Sequence, residues 1–245
     1  MIGYNVQKAQ ELMDQIAATY NKMASTIGGN WISLEAIMKK EWVGPDEVAM
    51  QNEIAGRLIQ LHKDCHVTVK QVVKNICEIE RGWRDFQGRN KVSGGKYGVE
   101  IDKIKQLEPP SINDSEIEQF VKTNVSLDFA EGINLGLTNG ESSAANIKSQ
   151  AQEFSTSVHS YVSKMYNELD ASNAFLGGSQ ATEIDKYLSN IGEGLGRFLS
   201  SFKDLYDALD VLAKQNYTDS ASQVGTDLNQ SSIEIDSSNS IYNQQ

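Results

Sequence analysis

Proline is nearly missing from this chain. There are three in 245 residues, two of them adjacent at Pro109-Pro110 and the third at Pro45. Long stretches therefore carry no helix breaker, which favours an all-α protein over a strand-and-turn fold. Cysteine is almost as scarce. Cys65 and Cys77 stand twelve residues apart on what reads as one helix, about 18 Å of rise. That separation excludes a disulfide between them and leaves two small apolar residues. Long hydrophobic runs are absent, and no stretch approaches the ~18 apolar residues of a membrane span. The opening MIGYNVQKAQELMDQI has no charged segment followed by an apolar one, so no Sec-type signal peptide is expected.

A surplus of basic charge is missing as well. The formal net charge is -11, and it is uneven: residues 1–105 carry 15 Lys/Arg against 13 Asp/Glu, residues 106–245 carry 7 against 20. Such a chain has little attraction for phosphate backbones, and nucleic acid is not expected as a partner. The imbalance fits two differently solvated surfaces, or two halves that attract each other.

The residue groupings that carry chemistry are few. His62, Cys65 and His66 fall on one predicted helix, with the two histidines on a shared face. Cys65 is off that face and no fourth ligand is visible, so no metal is expected. Gly192-Glu193-Gly194-Leu195-Gly196 has the glycines of a phosphate loop but follows no strand and lies inside a helical stripe. Its small residues at Gly192 and Gly196 suit a close helix crossing instead. Asp204, Asp207 and Asp210 read as the solvated face of a last helix. No nucleophile motif or Walker sequence occurs. The expectation is a protein with no catalytic residue, no cofactor and no metal.

What the chain has in quantity is helical periodicity. Val6, Ala9, Leu12, Met13, Ile16, Tyr20, Met23 and Ile27 form a stripe at i, i+3, i+4, i+7 spacing. Gly28-Gly29-Asn30 reads as a C-terminal stop before Trp31, Leu34, Ile37 and Met38 resume the pattern. Trp42-Val43-Gly44 then forms a corner. Pro45 suits the first position of a helix, and Asp46 and Glu47 its first turn. The next stripe runs from Ile54 to Phe86, a helix of about forty residues. From Gly88 to Asn113 the chain reads as linker, Ser115–Val121 as a possible short helix, and Ser126–Gly140 as weak helix or loose loop. Helical texture returns near Ser142, breaks at a second corner around Phe175-Leu176-Gly177, and continues from an expected N-cap at Ser179 to near Tyr217.

The two halves repeat. An offset of 133 residues places Trp42-Val43-Gly44 on Phe175-Leu176-Gly177, and it also sets Ile54 on Tyr187, Leu58 on Ile191, Val72 on Leu205 and Ile76 on Leu209. An aromatic at such a corner can clamp two helix ends, and glycine permits a turn that other residues avoid.

On these residues the chain resembles the WXG family, the ESAT-like helical hairpins handled by type VII secretion systems of Gram-positive bacteria. Trp42-Val43-Gly44 stands about forty residues into the chain between two predicted helices, as in that family. The second corner departs from the pattern, with Phe175 in place of the tryptophan. The family's Tyr-x-x-x-Asp/Glu element is not matched at Tyr97 or Tyr217. The resemblance implies antiparallel hairpins of about a hundred residues that associate in pairs as a four-helix bundle, here two in tandem.

The expected architecture is therefore all-α: a hairpin over 1–90, a linker over 91–140, a second hairpin over 141–218 and a flexible polar tail over 219–245. The two hairpins should pack within one chain as a four-helix bundle, a monomer imitating the family's dimer. The corner residues are Trp42, Gly44, Phe175 and Gly177. The resemblance implies a non-enzymatic role in type VII secretion, with a secretion ATPase or a secreted effector as partner. The chain would be secreted without a Sec signal, or cytoplasmic before export. The alternative is a structural or assembly protein of a phage, plasmid or conjugative element that uses the same hairpin.

Overall fold

The computed structural model describes residues 5–89, 106–114, 121, 136–172 and 179–214. The second corner, with Phe175 and Gly177, lies outside the described residues, as does the C-terminal tail. Four long helices and two two-residue strands account for most of what is described. In chain order they are α1 (Val6–Glu41), β1 (Trp42–Val43), α2 (Pro45–Arg89), β2 (Gly136–Leu137), α3 (Glu141–Ser172) and α4 (Ser179–Lys214).

Each helix starts and stops where local chemistry permits. The Asn5 side chain caps α1 by accepting from the Lys8 N–H at 3.0 Å, and Lys39 and Lys40 sit in its last turn, beside the negative end of the helix dipole. Pro45 opens α2, followed by Asp46 and Glu47 in the first turn. The expected stop at Gly28-Gly29-Asn30 does not occur. α1 runs through it unbroken, because Ile27, Trp31 and Leu34 on either side are all buried against the same core. Tertiary packing overrides the low helix propensity of two glycines there.

The helices form a four-membered antiparallel bundle in the cyclic order α1, α2, α4, α3. Cross-links between side chains give the directions. α1 meets α3 through Thr19–Glu168 at 3.1 Å, Asn30–Ser157 at 3.2 Å and Glu41–Ser143 at 2.6 Å, so one helix ascends as the other descends. α2 meets α4 in the same sense through Asn75–Tyr187 at 3.1 Å and through Arg57, which donates to the Arg197 carbonyl at 2.8 Å. The two hairpins therefore lie head to tail, and their broadest contacts run between hairpins, α1 on α3 and α2 on α4.

One continuous core results. Its middle is aromatic: Phe154 of α3 stands with ring centroids 6.2 Å from Trp31, 5.9 Å from Phe198 and 5.9 Å from Phe202, and the last two are 5.0 Å apart. The repeat read from sequence persists in the packing. Leu58, Ile191, Val72, Leu205, Ile76 and Leu209 are all buried, so equivalent positions of α2 and α4 face the same interior.

Gly192 and Gly196 do not make the expected helix crossing. Both are exposed, and a Cβ at either would meet open space. The close approach is at Gly194 between them, where a Cβ would stand 3.3 Å from Leu61 Cδ1 and from Asp64 Oδ2 of α2. The three glycines are two residues apart, so a helix turns the middle one roughly opposite its neighbours. Asp204, Asp207 and Asp210 are exposed on α4, as their spacing predicts, and Asp210 pairs with Lys148 at 2.5 Å.

Candidate functional site

The first corner is tied into the fold from three sides. The Trp42 N–H donates to the Met38 carbonyl and ends α1. Trp42 and Val43 then pair antiparallel with Leu137 and Gly136. The Thr138 N–H reaches the Glu41 carbonyl at 2.9 Å, and its hydroxyl donates to the Lys40 carbonyl at 3.1 Å. The Trp42 side chain is only 2% exposed. Gly44 turns the chain into α2 at φ 147, a conformation that a side chain would strain. Trp42 is thus a buried clamp, and the corner's outward residues are Pro45 and Asp46.

A buried carboxylate secures the same end of the bundle. Ser143, in the first turn of α3, accepts from the Asn139 N–H at 3.0 Å and donates to Glu41 Oε2 at 2.6 Å. That hydroxyl, with Lys40 at 3.1 Å, holds the Glu41 carboxyl below its ordinary range. Glu41 therefore joins the corner of the first hairpin to the start of the second. Nothing in the periodicity of either helix announces this pair. The only local signal is Thr138-Asn139-Gly140 just before α3, a common type of helix entry.

Glu47 behaves oppositely. It is 5% exposed in the first turn of α2, and Gln51 donates to it. Burial pushes its carboxyl up to about 7 from an ordinary 4.5. The folded chain then holds a proton that the unfolded chain releases. The resulting stabilisation is fully present below about 4.5 and is lost as pH rises through about 7. Glu47→Gln is expected to remove that slope. At pH 8 it should raise stability by about 1–2 kcal/mol, after discounting for solvent screening. At pH 4.5 the variant and the native chain should melt together, which thermal unfolding followed by circular dichroism at the two pH values checks.

The histidines form the third grouping. Tyr20, fully buried on α1, places its hydroxyl 2.9 Å from His62 Nε2 and 2.8 Å from His66 Nδ1. Asp114 lies 3.2 Å from His66 Nε2 and 2.5 Å from Lys70 Nζ. One proton arrangement satisfies these contacts with neutral histidines and an ionised Asp114. His66 Nε2–H donates to Asp114, Tyr20 O–H to His66 Nδ1, and His62 Nε2–H to the Tyr20 oxygen. Burial, reinforced by Lys70, holds His66 below its usual range, and burial raises the Tyr20 hydroxyl. Cys65 is buried beside them, its thiol pushed up to about 12 by burial. Among the described residues no group of three or more His, Cys, Asp or Glu is placed to hold a metal ion, and no helix is long and apolar enough to cross a membrane.

Asp114 belongs to a segment expected to be linker. Residues 106–114 instead lie along α1. Leu107 is buried, Ile112 is packed against the core, and the backbone between them is held by side chains of α1. Sequence reading missed this because the partners are remote in the chain, Gln10 and Asn21 about ninety or more residues away and His66 and Lys70 more than forty. The chain matches no protein-family model, no curated protein and no solved structure.

Proposed function

We propose that this chain is a non-enzymatic tandem WXG-like protein that acts by protein–protein contact in type VII secretion, either as an exported substrate or as a partner or chaperone of one. It works as a monomer whose two hairpins replace the family's two subunits. The observation that carries the reading is the head-to-tail packing of two hairpins in one antiparallel bundle, the first turned on a buried Trp42 and on Gly44 at positive φ. That arrangement is what fusing two mutually packing hairpins would produce. The partners that fit are a secretion ATPase or a secreted effector, met at the bundle end where Pro45 and Asp46 are exposed.

A secretion assay tests the proposal. The tagged chain is followed in cells and in medium, with the secretion ATPase present and deleted. It is expected in the medium only when the ATPase is present. Its appearance in the medium regardless of the ATPase, or retention in cells with no association with any exported protein, overturns the reading.

A further inference from the structure

Residues 106–114 are bound by this chain in the manner of a peptide ligand. Gln10 donates from Nε2 to the Glu108 carbonyl at 2.8 Å and accepts the Glu108 N–H at Oε1 at 2.9 Å. Asn21 repeats the pattern, donating from Nδ2 to the Ser111 carbonyl at 2.9 Å and accepting the Asn113 N–H at 2.7 Å. Both side-chain amides therefore read the backbone, with donor and acceptor used together, and leave the peptide's side chains unspecified.

The spacing fits an extended ligand. Gln10 and Asn21 are eleven residues apart, about 16 Å of helix rise and only about 20° of rotation, so they share one face of α1. Four to five residues in a polyproline II conformation cover roughly 12–16 Å, a difference that side-chain reach absorbs. Pro109-Pro110 stands between the two clamps and favours that conformation. Specificity comes at the ends. Leu107 enters the core near the first clamp, Ile112 packs near the second, and Asp114 reaches Lys70 and His66 on α2.

We propose that the α1/α2 face is a docking groove for an extended, proline-containing peptide segment of a partner protein, and that residues 106–114 occupy it in cis as a displaceable strap. The ligand pattern is an aliphatic residue, two prolines near the middle, a second aliphatic residue and an acid after it. The four backbone hydrogen bonds are solvent-exposed, so each contributes little and covalent attachment does much of the holding. A partner segment of the same pattern competes on equal chemical terms once it is locally concentrated. The inference does not depend on the export route proposed above.

The test is a fluorescent synthetic peptide, QLEPPSIND, titrated into the full-length chain and followed by polarisation. Native protein is expected to take it up weakly, because the strap competes. Leu107→Ser/Ile112→Ser, which loosens the strap, is expected to bind at least tenfold more tightly. Adding Gln10→Ala and Asn21→Ala to that variant should abolish uptake. A peptide with both prolines replaced by glycine should bind at least several-fold more weakly. Circular dichroism melts identify variants that have lost the bundle. If the loosened variant does not fold, Asp114→Ala replaces it, since that side chain is exposed and outside the core. Absence of peptide binding to a folded, loosened chain overturns the proposal, as does binding that survives loss of both Gln10 and Asn21. A concentration-dependent dimer without peptide uptake also overturns it, because the groove would then take the strap of a second copy.

Discussion

Trp42→Ala is expected to destabilise the fold by about 3–5 kcal/mol, the range for emptying a buried large aromatic site. The side chain is 2% exposed and belongs to the continuous core, so its removal leaves a cavity at the bundle end. Two further effects accompany the cavity. Trp42 is the residue through which β1 pairs with Leu137, so the connection entering α3 loses its anchor. Glu41 beside it holds Ser143, and a loosened corner weakens that buried pair as well. Trp42→Phe keeps a ring in the site and should cost less, about 1–2 kcal/mol. The measurement is urea unfolding followed by far-ultraviolet circular dichroism, with the midpoint shifting and the slope unchanged. A loss below about 1 kcal/mol for Trp42→Ala would mean that the corner is held by its backbone pairing alone.

The first corner was legible because its signals are local. Pro45 and the two acids after it specify a helix start, and the apolar stripes on either side have a clear helical period. The duplication was legible from the matched register of α2 and α4, which required only counting residues; the packing of the two hairpins on one another was what the resemblance to paired hairpins implied. The features missed are those whose partners are remote. A two-residue β pairing between Trp42–Val43 and Gly136–Leu137 has no periodicity of its own. Gln10 and Asn21 look like ordinary solvated positions of α1 until the strap is laid beside them. Pro109-Pro110 reads as a break because local sequence shows only what proline prevents, and an extended segment needs an external donor and acceptor to become ordered.

Gly28-Gly29-Asn30 and Gly192–Gly196 fail for a related reason. Glycine marks a site where the backbone could do something unusual, and only the surroundings decide whether it does. At Gly28 the core on both sides keeps the helix intact. Within α4 only Gly194 faces a neighbour, while Gly192 and Gly196 face open space. The spacing located the crossing within two residues but assigned it to the wrong side of the helix.

Phe154→Ala is expected to lower stability by about 3–5 kcal/mol and to do so for both hairpins at once. Phe154 is fully buried in α3 and touches the rings of Trp31 from the first hairpin and of Phe198 and Phe202 from the second. The consequence can be read selectively, because all three tryptophans, Trp31, Trp42 and Trp83, lie in the first 105 residues. Tryptophan fluorescence therefore reports the first hairpin, whereas circular dichroism reports all four helices. If the bundle is one cooperative unit, the two signals share a midpoint in the native chain and fall together in the variant. Two self-sufficient hairpins would instead leave the fluorescence midpoint nearly in place while circular dichroism splits into two steps. Phe154 lies beside Trp31, so Phe198→Ala serves as the independent check. That residue sits on α4 against Phe154 and Phe202, and its loss should move the tryptophan midpoint in the same direction. The broad α1–α3 and α2–α4 interfaces favour the single unit. Separating the hairpins would expose the apolar stripe of every helix, including residues that neither hairpin can cover by itself.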